Sequence, residues 1–235
     1  MSFKQAQIKL AIADDHNLFR KGLITLINLA YKNNCIIVFE AGSGQELIAK
    51  LDKKILPDII LMDIDMPDMD GFETVSWLQQ HYPDISILVI SMIEKEEAIV
   101  RMLKMGVKGY LSKDIEVEDI YEAIKAITNK GYYYTDFITG KLIDSIKNEG
   151  KHFKTKESSS ENPIWGQLNE NERRFLELAC TTDLTYEQIA GQMFLSPKTI
   201  DSYRDAVFSK FKIKNRVGLV LFAFENELVK IPRKG

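Results

Sequence analysis

The sequence lacks the features that mark membrane, secreted and zinc-binding proteins. Its 235 residues contain no run of about 18 consecutive apolar side chains, and its N-terminus passes from a short polar lead into an apolar run that ends in acids. Only two cysteines are present, Cys35 and Cys180, and neither belongs to a CxxC or Cys/His spacing. We expect no signal peptide, no membrane span, no disulfide scaffold and no zinc site, and a chain that resides in a reducing cytoplasm.

No strong charge of one sign is present either, since the net charge is -3, but the charges are unevenly placed. Residues 1–135 carry 15 basic and 20 acidic side chains, whereas residues 136–235 carry 16 and 14. The segment 195–216 contains six bases against two acids. These bases are Lys198, Arg204, Lys210, Lys212, Lys214 and Arg216. The asymmetry indicates a nucleic-acid surface in the second part, although a solvated helix face has the same composition.

Short apolar runs alternate with amphipathic stretches over the first 130 residues. The runs are Ile8–Ala13, Ile36–Glu40, Ile59–Met62, Ile85–Ile90 and Gly109–Leu111. Runs of this kind are typical of strands buried on both faces of a parallel sheet. The stretches between them have helical spacing and are Leu18–Leu29, Gln45–Leu51, Phe72–Gln80, Ala98–Met105 and Ile120–Ile127. Five strand–helix repeats predict a doubly wound α/β domain.

The alternation stops after Asn129, and the composition then changes. Phe137–Ile146 has the spacing of one more short helix, but Asn148–Pro163 is rich in Ser, Lys and Glu and cannot bury a core. From Leu168 onward the period is helical, over Asn169–Cys180, Thr185–Met193, Ser196–Phe211 and Arg216–Leu228. We therefore predict an α/β domain over 1–130, a linker with a short helix over 131–163, and a small all-α domain over 164–235.

Acidic residues follow the predicted strands. Asp14 and Asp15 follow the first strand and Asp63 the third, while Ser91 ends the fourth and Lys113 follows the fifth. Because parallel strands end at one edge of a sheet, these side chains should converge there. Gathered carboxylates repel one another unless a cation neutralises them, and oxygen ligands suit Mg²⁺. The pattern predicts a magnesium-dependent cradle for a phosphoryl group on Asp63.

Four motifs in this order resemble the receiver domain of two-component response regulators. They are Asp14-Asp15, PDIILMDIDMPDMDG at 57–71, VISM at 89–92 and GYLSKD at 109–114. The resemblance implies a flavodoxin-like sheet of strand order 2-1-3-4-5. It also implies a phosphoacceptor at Asp63, metal ligands at Asp14, Asp15, Asp63 and the backbone carbonyl of Asp65, phosphoryl-binding residues at Ser91 and Lys113, and an aromatic switch at Tyr110. Asp114 departs from the family, which commonly has a cis proline there.

A helix-turn-helix is predicted near the C-terminus. Ser196 suits an N-cap and Pro197 a first helical position, and Ile200, Val207 and Phe211 recur at core-facing spacing. EQIAGQMFLSPKTIDSYRDAVFSKFKIKNR at 187–216 resembles the LuxR/NarL-type helix-turn-helix. That resemblance implies DNA contacts by Lys198, Thr199, Asp201, Ser202, Arg204, Asp205, Lys210, Lys212, Lys214 and Arg216. Asp201 and Asp205 stand where bases are frequent in the family, and acids there weaken binding unless they accept a donor such as cytosine N4.

Together the two resemblances imply a response regulator of the NarL/FixJ type, which is no turnover enzyme. A sensor histidine kinase would phosphorylate Asp63 with Mg²⁺, and the modified chain would bind promoter half-sites as a homodimer. Two alternatives follow from particular residues. The acids Asp201 and Asp205 suit a helical domain that binds protein instead of DNA. The Asp63-Ile64-Asp65 triplet is similar to the start of aspartate-nucleophile phosphatases, although the paired acids here come before the nucleophile.

Overall fold

The computed structural model describes residues 7–51, 55–149 and 163–229, and it divides the chain into two compact units between Tyr134 and Thr135. Within those ranges, no helix is both long and apolar enough to cross a membrane. Residues 150–162 of the predicted linker over 131–163 lie outside the described ranges. Its predicted short helix is described, as α6 (Asp136–Glu149) of the second unit.

The first unit is a five-stranded parallel sheet with a helix after every strand. The strands are β1 Ile8–Ala13, β2 Cys35–Ala41, β3 Ile59–Met62, β4 Ser86–Ser91 and β5 Gly109–Ser112. The helices are α1 Asn17–Tyr31, α2 Gly44–Lys50, α3 Gly71–His81, α4 Glu96–Lys104 and α5 Val117–Lys130. The strand order β2-β1-β3-β4-β5 confirms the predicted flavodoxin-like fold.

Apolar side chains that point to one face of the sheet form a core with side chains of α1 and α5. Leu10 and Ile12 of β1 share one face of the sheet with Leu61 of β3 and Ile90 of β4. The same cluster contains Leu23 and Ile27 of α1 and Ile120, Ile124 and Ile127 of α5. Because both faces of the sheet are covered, the strands are short continuous apolar runs, as predicted.

The five helices of the first unit differ from their predicted bounds by one to three residues, and α5 differs most. Helix α5 extends three residues beyond the apolar repeat at each end, because its first and last turns are polar and carry no periodic signal. Its C-terminus is set by Gly131, whose φ of 86° is the left-handed conformation that favours glycine. Helix α4 begins two residues early at Glu96, where acidic side chains in the first turn are favoured by the helix dipole.

The second unit is all-helical and contains the predicted helix-turn-helix. Its helices after α6 are α7 Glu170–Thr181, α8 Tyr186–Gln192, α9 Pro197–Phe211 and α10 Arg216–Glu225. Phe175 of α7 is fully buried at the centre, with Ile189, Ile200 and Leu219 buried on the neighbouring helices. Helix α6 packs against α10. Helix α10 ends three residues before its predicted end, because Glu227 adopts a positive φ of 53°.

Candidate functional site

The carboxyl ends of four strands bring polar side chains to one edge of the sheet. Asp14 directly follows β1, Asp63 directly follows β3, Ser91 ends β4, and Lys113 follows β5. The backbone N–H of Asp63 donates to the carbonyl of Ala13 at 2.8 Å, which joins the ends of β1 and β3. Asp14, Asp63 and Ser91 are all buried. Buried polar side chains in this position require partners, which are the Lys113 ammonium for the two carboxylates and nearby backbone N–H groups for all three side chains.

Lys113 joins the two buried carboxylates. Its Nζ atom lies 2.5 Å from Oδ2 of Asp63 and 2.7 Å from Oδ2 of Asp14. The other oxygen of Asp63 accepts the backbone N–H of Ile64 at 2.7 Å. Burial opposes the charged form of Lys113, but its bonds to the two carboxylates outweigh this and raise its pKa. Lys113 is therefore a fixed positive charge directly beside Asp63.

The cluster as a whole is negatively charged. One donor atom each from Asp14, Asp15, His16 and Asp63 lies within 4.8 Å of the others, and three carboxylates with one lysine leave a formal charge of about -2. Burial raises the pKa of Asp14, although its bonds to Lys113 act in the opposite direction. Carboxylate oxygens with this excess charge suit a divalent cation. The side chain of Asp65 is exposed and is not a member of this group, so only its predicted backbone carbonyl is relevant.

The predicted switch residues lie beside this cluster. The Oγ atom of Ser91 accepts the backbone N–H of Ile93 at 3.3 Å, and the carbonyl of Ser91 accepts that of Lys113 at 3.1 Å. Tyr110 is buried, and its hydroxyl donates to the carbonyl of Ile93. Burial raises the pKa of Tyr110, so it stays a neutral donor. Ser91 and Tyr110 therefore both bond backbone atoms of Ile93, which lies in the loop between β4 and α4. The described residues contain no cis peptide bond, including the bond to Asp114.

Sequence reasoning missed Arg20, which supports the loop of the acidic cluster. Its side chain is only 14% exposed and donates to Oε2 of Glu40 at 3.0 Å, to Oδ1 of Asn17 at 3.1 Å, and to the backbone carbonyl of Asp14. Hydrogen bonds from Lys21 and Arg20 lower the pKa of Glu40 despite partial burial. An arginine on α1 opposite an acid near the end of β2 was the available signal for the pair with Glu40, but the bond to Asp14 is to a backbone carbonyl, which has no sequence signature.

We expect Arg20→Ala to lower the free energy of unfolding of the first unit by about 2 kcal/mol, because charged hydrogen bonds to partly buried acceptors are lost. Urea unfolding of the full chain, followed by Trp77 fluorescence in a Trp165→Phe background, measures this. Lys21→Ala is the control, since Lys21 bonds the same Glu40 but is 57% exposed, and its effect should be under about 1 kcal/mol. Equal effects of the two variants would contradict the role of Arg20.

The helix-turn-helix consists of α8, the turn 193–196 and α9. The Ser196 side chain caps α9 by accepting the N–H of Thr199 at 3.2 Å, and Pro197 is the first helical residue, as the sequence predicts. Phe194 adopts a positive φ of 56° in the turn, with its side chain exposed. Ile200 and Val207 are buried and Phe211 stacks on Phe222 of α10. Of the predicted DNA-contacting side chains, Lys198, Asp201, Ser202 and Asp205 are exposed on α9.

The acids of this face are paired within the helix. The Nη1 atom of Arg204 lies 2.7 Å from Oδ1 of Asp201, and its Nη2 atom lies 3.0 Å from Oδ1 of Asp205. Arg204, which the sequence predicts to contact DNA, is therefore bonded to the two acidic side chains that would weaken DNA binding. The Oγ atom of Ser202 donates to the carbonyl of Lys198 at 3.0 Å, and the Thr199 hydroxyl bonds that of Ser196 at 2.8 Å.

Two of the basic side chains that are predicted to contact DNA form hydrogen bonds within the domain. Arg216 donates to the carbonyls of Ala179 at 3.0 Å, Leu184 at 2.7 Å and Thr182 at 2.9 Å, and its side chain is 9% exposed. Arg216 therefore bonds the corner between α7 and α8, and its contact with DNA stays a prediction.

Lys210 is likewise committed to an internal contact. Its Nζ atom lies 2.6 Å and 2.8 Å from the oxygens of buried Glu172 and 3.0 Å from the carbonyl of Gln167. Burial opposes ionisation of Glu172, but this ion pair prevails and lowers its pKa. Glu172 also completes the capping box of α7 with Asn169. Lys210 therefore joins the end of α9 to the start of α7, and its contact with DNA stays a prediction.

Three predicted bases remain directed to solvent. Lys198 at the start of α9 and Lys212 and Lys214 just after it are exposed. Their side chains form no ion pair within residues 7–51, 55–149 and 163–229. Lys198 lies at one end of the outward face of α9, and Lys212 and Lys214 lie at the other end. Because the other three bases of segment 195–216 are bonded to protein groups, the exposed basic surface is smaller than the sequence suggests.

Comparison with known families assigns each unit separately. Residues 10–125 match the response regulator receiver domain, and residues 167–223 match the bacterial regulatory proteins of the luxR family. The transcriptional regulatory protein DegU of Brevibacillus brevis is 30% identical over 232 residues, which cover 96% of each chain. The oxygen regulatory protein NreC of Staphylococcus aureus is 29% identical over 94% of this chain and 99% of its own.

Solved structures with the same fold span both units. The RcsB response regulator of Salmonella typhimurium is similar with a TM-score of 0.54 and 22% identity, over 94% of this chain and 99% of its own. A second similar structure is the two-component response regulator RcsB in complex with DNA, with a TM-score of 0.54 and 21% identity over 93% of this chain and 98% of that one. At such low identity, these likenesses concern the fold alone.

Proposed function

We propose, from the premise that this chain belongs to the NarL/FixJ-type two-component response regulators, that Asp63 accepts the phosphoryl group that controls its DNA-binding domain. The observation that carries the proposal is the position of Asp63. It is buried at the end of β3, with Lys113 Nζ at 2.5 Å and Asp14 in the same ion-pair cluster. The proposed donor is a phosphohistidine of a sensor histidine kinase.

In the proposed reaction, a carboxylate oxygen of Asp63 attacks phosphorus in line with the leaving imidazole. The new P–O bond forms as the P–N bond breaks, and the imidazole leaves with the bonding electron pair and takes up a proton. Asp14, Asp15, Asp63 and the carbonyl of Asp65 would hold Mg²⁺, which supplies charge neutralisation for the phosphoryl oxygens. The Lys113 ammonium faces Asp63 and would bind one of those oxygens. The chain is thereby a catalyst of its own modification, not a turnover enzyme.

The switch would act through the β4–α4 loop. A phosphoryl group on Asp63 attracts the Ser91 hydroxyl and the Lys113 ammonium, because it adds charge and acceptor oxygens. Ser91 bonds Ile93 through its Oγ atom, and Tyr110 bonds the carbonyl of the same residue. Movement of Ser91 therefore breaks a bond in the loop that Tyr110 holds. The expected readout is a changed surface on α4 and β5 that promotes a homodimer.

For the helical domain, we propose that α9 lies in the major groove of promoter DNA in the cytoplasm. Lys198 and Thr199 at its N-terminus and Lys212 and Lys214 beyond its C-terminus would bind phosphates. Asp201 and Ser202 face outward and are the proposed readers of base edges, where Asp201 would accept from cytosine N4. Arg204 takes part by bonding Asp201 and Asp205, and Asp205 takes part through its pair with Arg204. A dimer would bind two half-sites.

The direct test is acyl-phosphate formation by the full chain with a small phosphodonor and Mg²⁺. Gel filtration and binding to random duplex DNA at two salt concentrations follow on the same samples. We expect labelling at Asp63, a shift to the dimer and higher DNA affinity. Labelling elsewhere, or none, would refute the assignment of Asp63. Labelling without any gain in DNA affinity would favour the second candidate, a helical domain that binds protein, which the engagement of three of its six bases in internal contacts supports.

The salt dependence of DNA binding provides a quantitative prediction. With three exposed lysines per monomer, the logarithm of the association constant for DNA should fall with the logarithm of salt concentration, with a slope of about -3 per monomer. The double variant Asp201→Asn with Asp205→Asn frees Arg204, so the slope should steepen by about 1 and affinity at low salt should rise roughly ten-fold.

Fluorescence anisotropy with a random duplex measures both quantities. The control, Glu170→Gln with Glu177→Gln, makes the same charge change on exposed positions of α7 and should leave the slope unchanged. An equal increase in both double variants would mean that net charge, not release of Arg204, sets the affinity.

A further inference from the structure

An aromatic ring lies beside the lysine of the acidic cluster. The Lys113 Nζ atom lies over the Phe19 ring, 4.8 Å from its centre, in addition to its contacts with the carboxylates of Asp14 and Asp63. A cation at this distance from the face of an aromatic ring is attracted by the ring quadrupole. The Phe19 ring is therefore a third partner of the Lys113 ammonium, and it is a neutral one.

Burial strengthens this contact between ring and cation. The Lys113 side chain is only 6% exposed. Lys125, by comparison, lies 5.2 Å from the centre of the Tyr121 ring but has a side chain that is 45% exposed. Because water weakens the attraction between a cation and a ring, the buried contact of Lys113 is the stronger of the two.

The first turn of α1 holds the ring in place. Phe19 is the third residue of this helix, and its side chain is partly buried and packs against the core of the sheet. The next residue, Arg20, donates its backbone N–H to the carbonyl of His16 at 3.0 Å and its side chain to the carbonyl of Asp14. The turn that carries the ring is thus bonded to the loop that carries Asp14.

The proposed reaction changes both carboxylate partners of Lys113 but not the ring. The Asp63 carboxylate becomes an acyl phosphate, and Asp14 is a proposed ligand of Mg²⁺. The Phe19 ring has neither role, so its share in holding the ammonium grows as the carboxylates are engaged. We infer that Phe19 is a positioning residue, which holds the Lys113 ammonium beside the phosphoryl group on Asp63. The inference rests on the proposed function, because it assigns Phe19 a part in the phosphorylation of Asp63.

A well-placed ammonium should speed both formation and loss of the acyl phosphate. In hydrolysis, a water oxygen bonds phosphorus as the P–O bond to Asp63 breaks, the carboxylate regains the electron pair, and a water proton passes to solvent. Lys113 would stabilise the same phosphoryl oxygens in both transition states. Removal of the ring should therefore slow both reactions by a similar factor. The final level of labelling depends on the ratio of the two rates, so it should change little, whereas a misfolded fraction would lower it.

Time courses of labelling of the full chain with phosphoramidate and Mg²⁺, followed by mass spectrometry, test the inference. Phe19→Leu keeps an apolar side chain but removes the ring, and it should slow both labelling and the loss of label after donor removal about five-fold. Phe19→Tyr keeps the ring face and should match the wild type within about two-fold. The matched control is Phe72→Leu. Phe72 is also partly buried, but its ring centre lies 4.2 Å from Cζ of Arg101 on α4, so its loss should leave both rates unchanged.

Unchanged rates in Phe19→Leu would overturn the inference, as would an equal slowing in Phe72→Leu or in Phe19→Tyr. A lower final level of labelling in Phe19→Leu with unchanged rates would overturn it too, because the ring would then support the fold and not the reaction. Absent labelling of the wild type would refute the proposed function and the inference together. Normal labelling of the wild type with unchanged rates in Phe19→Leu would refute the positioning role alone.

Discussion

Asp63→Asn should abolish acyl-phosphate formation, with labelling reduced at least about 100-fold. An amide of the same shape retains the hydrogen bond from Ile64 but has no anionic oxygen to attack phosphorus. Because Lys113 keeps its contact with Asp14 at 2.7 Å, the cluster should retain its arrangement and the domain its fold. The substitution should therefore remove the phosphorylation reaction without unfolding the domain.

Mass spectrometry of the full chain after treatment with a small phosphodonor and Mg²⁺ measures the loss. Asp84→Asn is the matched control, since Asp84 is an exposed acid of the same domain, outside the cluster, and it should be labelled like the wild type. The far-UV circular dichroism of Asp63→Asn should also match the wild type. Retained labelling in a folded Asp63→Asn protein would place the acceptor on another carboxylate and refute the proposed function of Asp63.

Arg216→Met should lower the free energy of unfolding of the second unit by about 3 kcal/mol. The guanidinium binds three carbonyls from the corner between α7 and α8, and its charge also faces the Tyr186 ring at 5.5 Å. Methionine fills a similar volume but leaves those partly buried carbonyls without this donor. The corner that orients α8 would then lose its attachment to α10.

The two tryptophans make this loss measurable in the full chain. In a Trp77→Phe background, fluorescence of Trp165 reports on the second unit alone during urea unfolding. Arg174→Met is the control, because Arg174 is 53% exposed and pairs with Glu177 on the same helix, so its loss should be under about 0.5 kcal/mol. If both variants unfold at the same urea concentration, the buried contacts of Arg216 contribute no more than a surface ion pair.

The fold could be predicted from the sequence because its signals are local and repeated. Each strand is a short apolar run, and each amphipathic stretch between them is a helix, so the order of elements leaves one common architecture. The convergence of Asp14, Asp63 and Lys113 followed from the geometry of parallel strands alone. These predictions used spacing and chain order, which the sequence displays directly.

The roles of the cationic side chains could not be predicted in the same way. Lys210 and Arg216 belong to a basic stretch, but their partners are distant in sequence, and most of those partners are backbone carbonyls. Every residue has a carbonyl, so nothing in the sequence distinguishes the ones that accept from an arginine. The same reason hid Arg20, whose bond to Asp14 is also to the main chain. Charge patterns therefore overstate the basic surface of this domain.

The parallel arrangement of the sheet also governs how the chain acquires its reactive cluster during folding. Asp14, Asp63 and Lys113 follow three different strands, and β5, which precedes Lys113, pairs with β4 at the edge of the sheet. Every such pairing closes a long loop, a step that makes parallel sheets slow to assemble. A nascent or partly refolded chain would thus contain most of its helices before Asp63 meets its lysine. The proposed phosphoacceptor would therefore acquire its lysine partner only in the folded domain.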